Sequence, residues 1–224
     1  MAVETGDLDG ALARARSGDE TGFAELWRSL QPRLLRYLQV LSCDDPDDVA
    51  SETWLQVVRD LHKFTGGAAA FRGWLFSVGR HRAIDAARAR KRRRSSPVAD
   101  GLDRVADAQM VEDQVLDGIS VTKAIGLLDG LSRDQAEAVA LRVIAGLETP
   151  AVADILGKSS GAVRVALHRG LRALAADPRV RALASDPGPH QPAPDSPTRA
   201  VNADLGPEEP APDPRLLMLR RWTE

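Results

Sequence analysis

The sequence predicts an all-α protein built from two small helical domains. Apolar residues recur at three- and four-residue steps in several segments, whereas the alternation typical of strands is hard to find. Aromatic residues are only 4% of the 224 residues, and the helix-favouring Ala, Leu, Arg and Glu dominate the central regions. Because polar and Pro-rich stretches interrupt the apolar segments, two small cores are a better interpretation than one large core.

The first predicted domain covers residues 19–94 and follows an N-terminal segment of residues 1–18. Its first helix runs from Asp19 to Val40, where the apolar residues lie on one helix face. A second helix is predicted from Pro46 to Leu61, since Asp45 can cap it and Pro46 suits the first turn. The predicted buried face of this second helix consists of Val49, Trp54, Val57, Val58 and Leu61.

The second helix also has an acidic side. Asp47, Asp48, Glu52 and Gln56 are expected near one exposed face. By itself this pattern is typical of a solvated surface, and the two aspartates also favour the positive end of the helix dipole.

A third helix begins at Phe71, after the Gly/Ala-rich loop of residues 62–70, and ends strongly basic. Eight Lys and Arg residues between Arg80 and Arg94 face one acid, Asp85, although the formal net charge of the chain is −2. This asymmetry predicts a polyanion such as nucleic acid as the neighbour, and a solvated basic helix end is the alternative. The aromatic residues upstream can stack on unpaired bases, but at helical spacing each is more often part of a core.

The second predicted domain covers residues 119–177 and has the clearest helix boundaries. Ser132 and Gln135 form a capping-box pattern before a helix that ends at Gly146. A short helix from Thr149 ends at Gly157, and Ser159 or Ser160 caps the last helix. The predicted buried residues of the first and last of these helices are Ala136, Val139, Ala140, Val143 and Ile144, and Val163, Ala166, Leu167, Gly170, Leu171 and Leu174.

Two helices joined by a tight glycine turn predict a helix-turn-helix. Its second helix would enter the major groove of DNA with its N-terminal residues near the base edges. The candidate base-reading residues are Ser159, Ser160, Ala162 and Arg164, and the candidate phosphate contacts are His168, Arg169 and Arg172. A helical hairpin without a role in DNA binding is the alternative.

Three segments, in order along the chain, resemble the extracytoplasmic-function (ECF) group of the sigma-70 family. They are DPDDVASETWLQVV, FRGWLFSVGRHRAIDAARARKRR and GLETPAVADILGKSSGAVRVALHRGLRAL. The resemblance covers about residues 20–94 and 121–176. It implies a transcription initiation factor with a promoter −10 domain and a −35 domain, which binds RNA polymerase core enzyme and captures the melted −10 strand.

The resemblance also implies roles for individual residues. The first segment looks like the acidic helix that docks on polymerase, which makes Asp47, Asp48, Glu52 and Gln56 the candidate core-binding residues. The loop of residues 62–70 corresponds to the segment that captures a flipped −10 base. The candidate −10 contacts are Phe64, Gly66, Gly67, Phe71, Arg72, Trp74, Arg80, His81 and Arg88.

The sequence departs from the family pattern at three positions. His81 stands where Asn is common, and Val165 and Ala166 replace a polar and basic pair in the recognition helix. The promoter sequence therefore cannot be transferred from a better-known member.

Two further segments are predicted to lack a packed core. Residues 95–118 are polar and acidic and are expected to form a flexible linker. Residues 178–224 form a Pro- and acid-rich tail, for which disorder is expected. The tail finishes in PRLLMLRRWTE, which is either a short docking helix or a floppy end.

Partners and excluded classes follow from the same residues. RNA polymerase core and promoter DNA are the expected partners, and the resemblance implies an anti-sigma factor as well. A dimeric helix-turn-helix regulator is the alternative function, although it leaves the acidic and basic helices without a role.

An enzyme would need Glu52 with His62, or His81 with Asp85, to act as a pair, and no convergent motif supports this. No catalytic, metal or cofactor site is predicted. A single cysteine, Cys43, and the lack of a long apolar run predict a cytoplasmic protein without membrane insertion.

Overall fold

The computed structural model describes residues 5–94 and 121–180, which form the eight α-helices given below, a further helical run at residues 178–180 and no strand. The first three residues of the predicted disordered tail of residues 178–224 are therefore helical. The all-α prediction is confirmed for this part of the chain. The helices are α1 Thr5–Arg16, α2 Glu20–Val40, α3 Pro46–Asp60, α4 Ala68–Arg94, α5 Val121–Gly126, α6 Arg133–Val143, α7 Thr149–Leu156 and α8 Ser160–Ala176. The predicted linker of residues 95–118 and the tail from residue 181 onward lie outside the described residues.

Three helix starts have the caps that the sequence predicts, whereas α4 begins at Ala68, three residues before the predicted Phe71, because Asp9 of α1 accepts a hydrogen bond from the Ala68 N–H. The Asp45 carboxylate accepts a hydrogen bond of 2.9 Å from the Asp48 N–H, with Pro46 in the first turn of α3. The Gln135 side chain accepts a bond of 3.2 Å from the Ser132 N–H in a capping box at α6. The Ser159 hydroxyl accepts a bond of 3.2 Å from the Ala162 N–H and caps α8.

Helices α1 to α4 form the N-terminal block, in which α1 is a helix that the sequence pattern does not predict. Its buried side chains Leu8 and Leu12 lie against α2. Gly22 of α2 permits this contact, since a Cβ atom there would lie 2.7 Å from the Ala11 carbonyl oxygen. The core of the block lies between α2, α3 and α4 and includes Leu26, Leu30, Leu34, Phe71 and Leu75.

Helices α5 to α8 form the C-terminal block, in which α6, α7 and α8 contact one another. Gly157 ends α7 in the left-handed conformation, with φ of 63°, and so makes the turn to α8. Gly170 of α8 lies close to α6, because a Cβ atom at this position would be 3.0 Å from Val139 Cγ2. Two adjacent helices joined by this turn form the predicted helix-turn-helix.

Three predicted core residues lie at the surface instead. Val58 is 41% exposed, Val143 is 64% exposed and Leu171 is 48% exposed. Val58 and Leu171 each come one residue, or roughly 100° of helix rotation, after a buried residue, and Val143 comes two residues after the buried Leu141. Leu171, for example, comes directly after the buried stripe of Val163, Leu167 and Gly170. The prediction was wrong at these positions because it assigned every apolar residue near the stripe to the core.

The two blocks contact each other through α2 and α4 on one side and α5, α6 and α7 on the other. They belong to one compact unit. Among the described helices, none is both long and apolar enough to cross a membrane.

Candidate nucleic-acid and polymerase interfaces

The exposed face of α3 carries both acid and apolar side chains. Asp47, Asp48 and Glu52 are exposed, as the sequence predicts. Leu55 is 51% exposed and lies three residues after Glu52, so it shares this face with the carboxylates. Sequence reasoning missed Leu55, although it is an apolar residue of α3 that lies outside the predicted buried face. An exposed leucine among carboxylates gives this face both an apolar and an acidic contact for another protein.

Gln56 is less available than the other predicted core-binding residues. Its side-chain oxygen accepts two hydrogen bonds from Arg82 of α4, from Nε at 3.1 Å and from Nη2 at 2.9 Å. The same guanidinium lies 3.7 Å from a carboxylate oxygen of Glu52. Arg82 therefore links the acidic face of α3 to the basic half of α4.

Three aromatic rings lie at the start of α4 and the loop before it. Phe64 stacks on Trp74 with ring centroids 5.1 Å apart and planes inclined by 18°. Phe71 meets both rings edge-on, at 5.6 Å from Phe64 and 5.9 Å from Trp74. Phe64 and Trp74 are half-buried, whereas Phe71 is fully buried. The first two rings thus reach the surface, and Phe71 supports them from below.

The loop before α4 is held by α1 through Asp9. The Asp9 carboxylate accepts a hydrogen bond of 2.5 Å from the Ala68 N–H, the first residue of α4. A Cβ atom at Gly67 would lie 2.9 Å from the same carboxylate oxygen. Gly66 has φ of 129°, which only glycine adopts readily. Sequence reasoning missed Asp9, because the contact joins residues 59 positions apart and no local pattern signals it.

The predicted basic contacts on α4 divide between two sides of the helix. Arg72 and Arg80 are half-buried and lie toward the C-terminal block, whereas His81 and Arg88 are exposed. Some cations at this end have acidic neighbours, since Arg88 lies 3.6 Å from Asp85 and Arg90 forms an ion pair with Asp44. The Arg88–Asp85 pair is exposed and therefore weak, so Arg88 remains accessible to a polyanion, whereas Arg90 is half-buried.

Arg80 meets a buried carboxylate that the sequence analysis did not single out. Glu137 of α6 is 4% exposed. It accepts a bond of 2.6 Å from Arg80 Nε and one of 3.1 Å from the hydroxyl of Tyr37 in α2. Burial, followed by the charge and hydrogen bond of Glu137, raises the pKa of Tyr37 well above its ordinary value. Burial disfavours the charged form of Arg80, but the hydrogen bond and charge of Glu137 outweigh it and raise the pKa of Arg80.

The candidate DNA-reading residues of α8 lie together at the surface. Ser159, Ala162, Arg164, His168, Arg169 and Arg172 are exposed, and Ser160 is half-buried. Val165 is 49% exposed on the same side. The Ser159 hydroxyl already caps α8 through the Ala162 N–H, so as an acceptor it is partly occupied. The arrangement gives a helix N-terminus with a cationic outer face, which suits phosphate and base-edge contacts in a major groove.

Comparison with known families gives two matches in the same order as the two blocks. Sigma-70 region 2 matches residues 26–93, and sigma-70, region 4 matches residues 123–174. The ECF RNA polymerase sigma factor SigD of Mycobacterium tuberculosis is 31% identical over 180 residues, which cover 78% of this chain and 85% of SigD. The ECF RNA polymerase sigma factor ShbA of Streptomyces griseus is 31% identical over 191 residues, which cover 81% of this chain and 97% of ShbA.

A solved structure shares the fold. The structure of CnrH in complex with the cytosolic domain of CnrY matches with a TM-score of 0.52 and 22% sequence identity, covering 76% of this chain and 96% of the matched chain. At this level of identity the likeness concerns the helical fold alone.

Proposed function

The chain belongs to the ECF group of the sigma-70 family and is an initiation factor that directs RNA polymerase to promoters, and we propose which of its surfaces perform each step. In this proposal α3 binds the core enzyme, the start of α4 captures the melted −10 strand, and α8 reads the −35 element. Catalysis belongs to the polymerase, and this chain supplies binding energy alone. The chain acts where the polymerase acts, in the cytoplasm.

The core-binding surface consists of Asp47, Asp48 and Glu52 together with the exposed Leu55. Apolar contact supplies affinity at such an interface, while the carboxylates select a basic partner and fix its orientation. Gln56 contributes indirectly, since its bonds to Arg82 position Glu52.

The −10 surface consists of the loop at Gly66 and Gly67 with Phe64 and Trp74 beside it. The stacked rings offer an apolar face for an unpaired base, and stacking stabilises a captured base by about 1–3 kcal/mol. Phe71 is buried, so its part is to support the two rings rather than to contact DNA. Arg72, Arg80 and Arg88 supply cationic contacts to the strand, and His81 supplies a hydrogen-bonding contact.

The −35 surface is the exposed side of α8. Arg164 lies in the first turns of the helix, where recognition helices contact base edges. Ser159, Ser160 and Ala162 lie beside it, and His168, Arg169 and Arg172 follow along the phosphate backbone. The exposed Val165 offers an apolar contact for a thymine methyl group.

An anti-sigma protein is a further proposed partner. The matched CnrH structure is a complex with the cytosolic domain of CnrY, which supports a protein partner for the same helical fold. Such a partner would compete with polymerase or DNA for the surfaces described above.

The observation that carries this proposal is the exposed acidic and apolar face of α3 in the same chain as a helix-turn-helix. A regulator that acted on duplex DNA alone would have no use for that face. The test is binding of the labelled full chain to purified core polymerase. Asp48→Arg should weaken binding about tenfold or more, corresponding to ~1.4 kcal/mol. Asp154→Arg makes the same change at an exposed position of α7 and should leave binding unaltered.

Equal binding by Asp48→Arg and Asp154→Arg would refute the assignment of α3. If the wild-type chain binds promoter duplex but does not bind core polymerase, the dimeric regulator becomes the better account.

A further inference from the structure

Three arginines of the N-terminal block converge where α2 and α4 meet the turn between α6 and α7. A Cβ atom at Gly146 would lie 3.4 Å from Arg72 Nη1 and 3.5 Å from Arg33 Nη1. Burial, followed by the charges of Arg72 and Arg36, lowers the pKa of Arg33. The three side chains are half-buried. They form a cationic cluster, named here the α2–α4 arginine cluster.

The cluster lacks an acidic partner among the residues that the structure describes. Arg72 Nε is buried there without a hydrogen-bond acceptor. Arg33 and Arg36 form no ion pair with a described carboxylate. Holding like charges together in a half-buried place costs free energy unless an anion offsets it. The arrangement therefore fits an anionic ligand better than a purely structural role.

Arg80 is an arginine of the same surface whose charge is already paired with an anion. It lies two turns after Arg72 on α4 and also points toward the C-terminal block. Its guanidinium donates a charge-assisted bond to Glu137, whose carboxylate is almost completely buried. A phosphate oxygen forms the same kind of bond with arginine. The C-terminal block thus supplies a carboxylate, that of Glu137, to Arg80. Within its described residues, it supplies no carboxylate to the α2–α4 arginine cluster, which it also contacts.

We propose that Arg33 and Arg36 extend the −10 surface onto α2 as contacts to DNA phosphates, and that the C-terminal block covers this surface until DNA displaces Glu137 from Arg80. The inference rests on the proposed function, because it takes the strand captured by Phe64 and Trp74 as the ligand. It adds Arg33 and Arg36 to the −10 surface, and it adds the C-terminal block as the part of the chain that covers this surface.

The neighbouring rings favour single-stranded DNA over an acidic protein as the ligand. Arg72 belongs to α4, the helix that also carries Trp74, and the stacked pair of Phe64 and Trp74 lies at the start of this helix. Stacking rings beside cations are the combination that unpaired nucleic acid requires. An acidic protein surface would leave the rings without a role.

The first test is binding of a fluorescent single-stranded oligodeoxythymidylate of about 12 nucleotides, because phosphate contacts do not depend on sequence. Arg33→Gln should weaken binding several-fold and reduce the slope of log affinity against log salt by about 0.7 for the lost contact. Arg28→Gln removes the same charge from an exposed position of α2 and should have a smaller effect on both quantities. If the two variants behave alike, the cluster is not a phosphate site.

The second test addresses the covering of the surface. Glu137→Gln should bind the oligonucleotide several-fold more tightly than wild type, since it removes the charge that competes for Arg80. Glu148→Gln is the matched control, because that carboxylate is exposed in the same block and pairs with Arg142. Equal affinities of the two glutamate variants would refute the competition.

A readout without DNA separates this inference from the proposed function. Tyr37 is the only tyrosine in the chain, so the ultraviolet absorbance of tyrosinate reports on this residue alone. In Glu137→Gln the tyrosine should titrate at lower pH than in wild type, and in Glu148→Gln it should not. If Tyr37 titrates at the same pH in Glu137→Gln as in wild type, the contact of Glu137 with Tyr37 and Arg80 is refuted, even if DNA binds. If neither wild type nor Glu137→Gln binds the oligonucleotide, the −10 function and the phosphate-binding role of the α2–α4 arginine cluster are both refuted. The titration of Tyr37 then still tests the contact of Glu137 with Tyr37 and Arg80.

Discussion

A single carboxylate at the start of the chain positions the loop that the proposed function assigns to base capture. Asp9 caps α4 at Ala68, and its oxygen would lie only 2.9 Å from a Cβ atom at Gly67. The cap satisfies a backbone donor that α4 cannot satisfy internally. It also ties α1 to the loop, so the N-terminal helix takes part in shaping the proposed −10 surface.

We predict that Asp9→Ala lowers the free energy of unfolding by about 1 kcal/mol and weakens binding of single-stranded DNA, because the loop and the helix start lose their cap. Asp9→Asn should restore most of both, since asparagine caps helices as well as aspartate does. Urea unfolding and oligonucleotide titration measure the two effects. Asp60→Ala is a suitable control, as Asp60 makes only a surface ion pair with Lys63. An Asp9→Ala variant as stable as wild type would exclude the cap as a contributor.

At the scale of elements, the turn between α7 and α8 depends on the left-handed conformation of Gly157. No atom lies within 4 Å of a Cβ built at this position, so a substitution meets a backbone cost and no steric clash. The turn fixes the angle at which α8 presents Arg164 and its neighbours.

Gly157→Ala should therefore destabilise the chain by about 1–2 kcal/mol through backbone strain at φ of 63°. Gly161→Ala makes the same chemical change inside α8, where alanine is favoured over glycine by about 1 kcal/mol, and should not destabilise it. Thermal unfolding of both variants compares the two. If Gly157→Ala and Gly161→Ala lose the same stability, the left-handed conformation of Gly157 is not the cause of the loss.

Local patterns predicted the starts of α3 and α8 and the end of α7, because caps and glycine turns act within a few residues of the chain. Asp45, Ser159 and Gly157 have the roles that the sequence predicts. Contacts between distant segments were not predictable in this way. Glu137 lies in the alanine-rich run of α6, and only the approach of Arg80 and Tyr37 explains why it is buried. The exposure of Val143 likewise depends on which neighbours α6 packs against, and a periodic pattern does not contain that information.

At the scale of the whole molecule, the contact between the two blocks should respond to alkaline pH. Tyr37 is held neutral by burial and by the Glu137 carboxylate, and Arg80 is the cation beside them. The pKa of Tyr37 is higher in the folded chain than in the unfolded chain, where tyrosine titrates near pH 10. The stabilisation is therefore complete below about pH 10 and is lost as pH rises toward the folded value.

We expect wild type to lose stability relative to Tyr37→Phe as pH rises above about 10, because phenylalanine has no proton to release. Denaturant unfolding of both proteins between neutral and alkaline pH measures the difference. A stability difference that does not change with pH would contradict a buried neutral Tyr37.

In the proposed function, the acidic face of α3 and the exposed side of α8 act together in promoter-directed initiation. Run-off transcription with purified core polymerase, from the promoter upstream of the gene for this chain, tests both at once. Wild type should give a specific transcript. Asp48→Arg should abolish it through failed core binding. Arg164→Ala should weaken it by a factor corresponding to about 1–3 kcal/mol of base recognition. A transcript of undiminished yield from both variants would contradict the account.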